Sequence, residues 1–221
     1  MTDTPSSTSA PSPDSTRQHP LRPGAAALAA LSLGAWLLFG CASSTPPPRF
    51  HTLLSAPEAG TVPPSPASPG WEVLTVTVPP QVDRPQWVVR QADDALVVLE
   101  DERWAAPLAD EIGAAVADRL RRAAPATSLA AGRRPWRIAI DVQRFDSAPG
   151  RVVRLEAEWS LRPGDATAAG WRCRGAFDRP AGPNYASLAA AHRDLAAQLG
   201  DAIARGLAVG LAGATAPVCA P

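Results

Sequence analysis

One thiol in this chain sits where its position prescribes a reaction. Cys41 follows the apolar residues 25–39 almost directly and is preceded by Leu38, Phe39 and Gly40. Leucine, two residues ending in a small one, and then cysteine resembles the lipobox of bacterial lipoprotein precursors. There the thiol takes a diacylglycerol, the leader is cut away, and the new N-terminus is acylated. The expected product begins at Cys41, with covalent diacylglycerol and an N-acyl chain, palmitate among the fatty acids, and no other cofactor. Phe39 is larger than is usual at its position, which leaves open whether processing is slowed. The apolar run of about 15 residues, with Arg17 and Arg22 just ahead of it, suits the h-region of a signal peptide. A spanning helix wants roughly 20. Counted from Gly24 to Ala42 the run nearly reaches that, so an uncleaved signal anchor stays open. Ala42, where an aspartate would retain a lipoprotein at the inner membrane, implies sorting to the outer membrane.

Other chemistry finds little to work with. Beyond Cys41 the histidines are His51 and His192, and the chain lacks G-x-S-x-G, H-E-x-x-H, C-x-x-C and a phosphate-binding glycine loop. That argues against hydrolase, metal and nucleotide chemistry, so no catalytic or metal-ligating residue is expected. His192 falls on an apolar helical stripe with Leu188 and Leu195. A catalytic role there would need an Asp or Ser from another element, and a partly buried, hydrogen-bonded histidine is the favoured reading. Asp83, Arg84 and Pro85 form a turn-like cluster that could dock a partner or pair locally. Trp104 is expected to pack beneath a sheet edge rather than grip lipid. Arg172 and Arg174 share a strand face that could meet acidic headgroups, although a solvated face is the commoner outcome. Cys173 and Cys219 could pair in an oxidising compartment. Cys173 lies on an apolar strand face and Cys219 in an Ala/Pro tail, so free thiols stay equally open.

The formal net charge of the 221 residues is zero, with 21 arginines and no lysine against 21 acidic residues. Removing residues 1–40 takes away Arg17, Arg22, Asp3 and Asp14 and leaves it at zero. A neutral chain has no electrostatic footprint for nucleic acid. Residues 41–70 are rich in Ser and Pro; proline blocks helix and sheet pairing and little apolar area is available, so they read as a tether. Phe50, Leu53 and Leu54 make an apolar island within it that could instead add an edge strand to the domain.

Folding is expected over residues 71–210, with 211–221 as a flexible tail. Residues 71–78 alternate in the strand period before Pro79 and Pro80. Residues 86–90 and 95–99 read as a hairpin. Leu108, Ile112, Val116 and Leu120 recur every four residues, with Asp110, Glu111, Asp118 and Arg121 set apart, which marks an amphipathic helix. Residues 136–145, 151–161 and 171–177 alternate again as an antiparallel meander. A long helix, about 185–207, closes the chain. The fold class is α+β in the order β-β-β-α-β-β-β-α, an antiparallel or mixed sheet with both helices on one face. The two halves may be read as a duplicated unit of weak internal similarity.

Several of these stretches together resemble the PqiC family of ABC-type transport auxiliary lipoproteins. They are residues 76–90 (VTVPPQVDRPQWVVR), residues 102–120 with Arg103, Trp104, Pro107 and Leu108, residues 142–160 with Phe145 and Trp159, and residues 185–204. The PRFHTLL run at 48–54 fits as well. The resemblance implies a non-enzymatic lipoprotein of the outer membrane, facing the periplasm and supporting envelope integrity. It also implies work with an MCE-domain protein and an inner-membrane partner in moving lipid, and leaves room for a homo-oligomer. An independent lipoprotein that itself binds lipid or a small apolar ligand is the alternative, and that one requires a sizeable pocket between sheet and helices.

Overall fold

A computed structural model describes residues 46–56, 70–123, 134–164, 170–212 and 219. Cys41, the leader and the second Pro-rich stretch, residues 57–69, lie outside the described residues. Among the described residues there are seven strands and two helices. They are β1 (Arg49–His51), β2 (Trp71–Thr77), β3 (Gln86–Arg90), β4 (Leu96–Trp104), α1 (Leu108–Ala123), β5 (Trp136–Ala148), β6 (Val152–Arg162), β7 (Trp171–Pro180) and α2 (Tyr185–Leu211). No helix among the described residues is long and apolar enough to cross a membrane.

The α+β class and the element order hold, with two refinements. The strands form two sheets, ordered β1-β4-β3 and β2-β5-β6-β7. Pro79 and Pro80 end β2 and lack the amide hydrogens that pairing would need, so β2 does not continue into a hairpin with β3. It runs parallel to β5 instead, with Trp71 opposite Trp136 and Val73 opposite Ile138. Parallel neighbours require a long crossover, and here that crossover contains the β3–β4 hairpin and α1. The halves of the chain are therefore interleaved, not repeated.

The second refinement concerns the tether. Arg49, Phe50 and His51 pair in parallel with Glu102, Arg103 and Trp104 of β4, so the domain reaches back past residue 71 into the expected 41–70 tether. Of the apolar island, Phe50 lies in this edge strand, while Leu53 and Leu54 follow it outside the strand.

The meander β5-β6-β7 follows its alternation closely. Val153, Leu155, Ala157, Trp159 and Leu161 of β6 are all buried, and the intervening residues are half-buried. Gly150, at φ 69°, turns β5 into β6 in a backbone region that costs glycine nothing. Leu108, Ile112, Val116 and Leu120 of α1 are fully buried. In α2 the buried stripe runs Leu188, Leu195, Leu199, Ile203 and Leu207. The helices approach closely at Gly200, where an added Cβ would lie 2.8 Å from the Arg119 side chain. Beside that contact Arg119 donates two hydrogen bonds to Asp201, at 2.7 and 3.0 Å, tying α1 to α2. Asn184 caps α2 by accepting the Ser187 amide at 2.8 Å.

Candidate functional site

The segment nearest Cys41 in the described chain is gripped by groups from four other elements. Glu102, on β4 and 2% exposed, accepts a hydrogen bond from His51 Nε2 at 2.6 Å and pairs with the Arg49 guanidinium. Glu111, in the first turn of α1, is also buried. Its Oε2 accepts the Thr52 hydroxyl at 2.7 Å and the Leu53 amide at 2.8 Å. The Thr52 carbonyl accepts from Arg193 of α2 at 3.4 Å, and the His51 carbonyl from the Ala105 amide at 2.8 Å. The His51 ring meets Trp87 of β3 edge-on at 4.9 Å, and Leu53 is 2% exposed. Buried carboxylates are expensive unless hydrogen-bonded, and Glu102 and Glu111 each accept hydrogen bonds from this one segment. Residues 49–53 thus join the fold through a fastened clasp. The sequence placed Glu111 with the polar residues of the helix; burial corrects this, because its partners come from residues 52 and 53.

His192 occupies the centre of an aromatic cluster. It stacks on Phe145 at 4.2 Å with planes 10° apart, and Trp87 and Trp104 flank it at 6.0 and 6.2 Å. Ser147 Oγ lies 2.8 Å from His192 Nε2 and 2.8 Å from Trp87 Nε1. An indole N–H can only donate, so the serine oxygen accepts from Trp87, and a second hydrogen bond runs between the hydroxyl and Nε2. The imidazole is neutral, and among the described residues its Nδ1 has no hydrogen-bond partner. Burial pushes its pKa down to about 3, against a smaller upward pull from Asp146. The serine partner that catalysis would need is therefore present. Yet Ser147 is 1% and His192 0% exposed, and the hydroxyl is committed on both sides. The pair organises the core and presents nothing to a substrate. The expected partly buried histidine is fully buried. Trp104 is buried against Trp87 and Phe145.

Asp83, Arg84 and Pro85 sit on an exposed loop with a fixed backbone. The amides of Val82 and Asp83 reach the Pro79 carbonyl at 3.0 and 3.2 Å, and the Pro85 carbonyl accepts from Trp104 at 2.9 Å. Val82 is buried beneath the loop. Among the described residues neither Asp83 nor Arg84 forms an ion pair or side-chain hydrogen bond, so the local pairing of Arg84 is not found.

Arg172 and Arg174 are exposed on β7, the latter 3.9 Å from Glu158. Cys173 and Cys219 are joined by a disulfide, with Cα atoms 5.3 Å apart. It ties the chain beyond α2 back to the inner face of β7.

The space between the four-stranded sheet and the helices is filled by Leu155, Trp159, Leu161, Leu188, Leu195 and Leu199, each at most 2% exposed. Two grooves are lined by described residues. One runs beside the β3–β4 hairpin along Val97, Leu99, Arg151 and Tyr185; the other lies at the edge of the four-stranded sheet, between β2 and α1.

Residues 51–204 match the family model described as the ABC-type transport auxiliary lipoprotein component. A crystallised protein of uncharacterised function is similar, at a TM-score of 0.57 and 17% identity over 73% of this chain and 99% of its own. A Xanthomonas campestris protein of the DUF330 family is similar at a TM-score of 0.54 and 24% identity, over 67% of this chain and 92% of its own. At those identities the likeness is one of fold. No curated protein matches the sequence.

Proposed function

The chain belongs to the family of ABC-type transport auxiliary lipoprotein components, and from that premise we propose that it is the lipid-anchored docking subunit of an MCE-type intermembrane lipid transport system. In this reading residues 1–40 are a cleaved leader and Cys41 carries the acyl chains. The folded domain faces the periplasm from the outer membrane, holds no catalytic centre, and supports envelope integrity by receiving an MCE-domain protein that works with an inner-membrane partner.

The observation that carries the reading is the family match beginning at residue 51, ten residues after a lipobox-like cysteine. Several acyl chains, at about 0.8 kcal/mol per buried methylene, make an effectively permanent attachment. The sealed Ser147–His192 pair supports a non-catalytic role, and the rigid, unpaired Asp83–Arg84 loop supports docking. The filled interior gives no support to an independent lipid carrier.

The test is affinity purification of the full-length protein from membranes, with mass spectrometry of both proteins and lipids. An MCE-domain protein recovered with it is the expected result. Its absence, with phospholipid recovered in stoichiometric amount, would favour the carrier instead.

A further inference from the structure

Phe50 is 62% exposed and Leu54 41%, in the same short segment whose Leu53 is buried and whose Arg49, His51, Thr52 and Leu53 amide are held by Glu102 and Glu111. Single exposed apolar residues need no explanation. These two differ because of where the chain leads. We propose that the edge formed by Phe50 and Leu54 rests on the phospholipid headgroup layer of the membrane in which Cys41 is anchored. The inference rests on the lipoprotein reading of Cys41.

Seven residues separate Cys41 from Arg49, three of them the consecutive prolines 46–48. At about 3.3–3.6 Å per residue the connection spans at most roughly 29 Å, and polyproline at about 3.1 Å per residue makes its last part a semi-rigid spacer. The tether cannot lengthen by peeling off the domain, because Glu102 and Glu111 fasten residues 49, 51, 52 and 53. Phe50 is therefore the first exposed large apolar side chain of the described chain after Cys41.

Its surroundings suit an interface. Arg103 lies directly across from Phe50 in the β1–β4 register, and the Arg49 side chain is 70% exposed although it pairs with Glu102. Aromatic rings settle at headgroup level, and arginine stems lie along apolar surface with their charge in the polar layer. One ring and one leucine are too little to bind a free protein to a bilayer. Beside a permanent anchor the contact is intramolecular, and a weak preference suffices to orient the domain.

The test uses the full-length lipidated protein with Phe50→Cys, labelled with an environment-sensitive nitrobenzoxadiazole. Acylated Cys41 and the Cys173–Cys219 disulfide leave that thiol as the reactive one. A matching Arg162→Cys label reports from the far end of β6, across from Arg137 and eight positions along β5 from Phe145. In vesicles of phosphatidylethanolamine and phosphatidylglycerol, headgroup-depth spin-labelled lipid should quench the label at 50 roughly threefold more than the label at 162. Equal quenching at the two positions overturns the proposal. So does a blue-shifted label at 50 that lipid does not quench, which would mean that protein covers it. Vesicle flotation of Cys41→Ser separates the two readings: if that variant still floats, the anchor assignment fails. If it is released while the label at 50 stays unquenched in the anchored protein, only the present inference fails.

Discussion

Glu111 and Leu53, 58 positions apart, meet through a 2.8 Å hydrogen bond in which a buried helix carboxylate accepts a backbone amide. The same oxygen takes the Thr52 hydroxyl. The first turn of α1 thus fixes the segment from which the tether departs. The Ser/Pro-rich connection thereby acquires a defined point of entry into the fold.

Glu111→Ala should release that segment. Hydrogen bonds to a charged acceptor contribute about 1.5–3 kcal/mol each, and the Leu53 amide would lose its partner in a buried position. The expected loss is on the order of 3 kcal/mol in urea unfolding. Hydrogen exchange should accelerate at residues 51–54 and stay slow in β6. Unchanged exchange at 51–54 would show that pairing with β4 alone holds the strand.

His192 predicts a pH dependence. Its folded pKa of about 3 lies below the unfolded value near 6.5, so the unfolded chain takes up the proton first. Stability from this residue is complete above pH 6.5 and is lost as the pH falls toward 3, by roughly 1.4 kcal/mol per unit. Other carboxylates titrate in the lower part of that window, so the measurement is a difference. Urea titrations between pH 7 and pH 4 should show a steeper decline in the wild type than in His192→Gln, whose amide can still meet Ser147. Parallel curves would contradict the neutral buried imidazole.

The Cys173–Cys219 bridge encloses a loop with a sequence separation of 46. In the chain-entropy model such a closure contributes on the order of 4 kcal/mol. Cys173→Ala with Cys219→Ala should lower the guanidinium midpoint accordingly. Thiol counting on the non-reduced mature protein should find no free cysteine, and two free thiols would dismiss the bridge.

Periodicity made the helices and the meander legible. The four-residue spacing of Leu108, Ile112, Val116 and Leu120 and the alternation from Val153 to Leu161 each name one face, and those faces are the buried ones. What periodicity cannot give is the neighbour. Nothing in residues 71–77 says that β5 rather than β3 lies alongside, so the division into two sheets was hidden although every strand around it was visible. The same holds for the clasp: Glu102 and Glu111 look like ordinary surface carboxylates until Arg49, His51, Thr52 and Leu53 are brought to them. Ser147 sat in a turn-rich stretch and gave no sign that it would bridge Trp87 and His192. A three-residue strand such as β1 carries too short a pattern to be told from a Pro-rich linker.

The loop at Asp83 and Arg84 offers the sharpest test of docking, because its backbone is fixed while its charges are unspent. Surface substitutions without partners usually change stability by no more than about 0.5 kcal/mol. Asp83→Arg and Arg84→Glu should therefore leave the unfolding midpoint in place. If the loop meets a partner, each reversal sets like charge against like at the contact. Recovery of the MCE-domain protein should then fall by about tenfold, equivalent to roughly 1.4 kcal/mol. The double reversal keeps the local net charge and serves as a check on geometry: it should not restore binding where each charge has its own partner. Full recovery of the partner in both single variants would remove this loop from the docking surface while leaving the proposed anchor at Cys41 untouched.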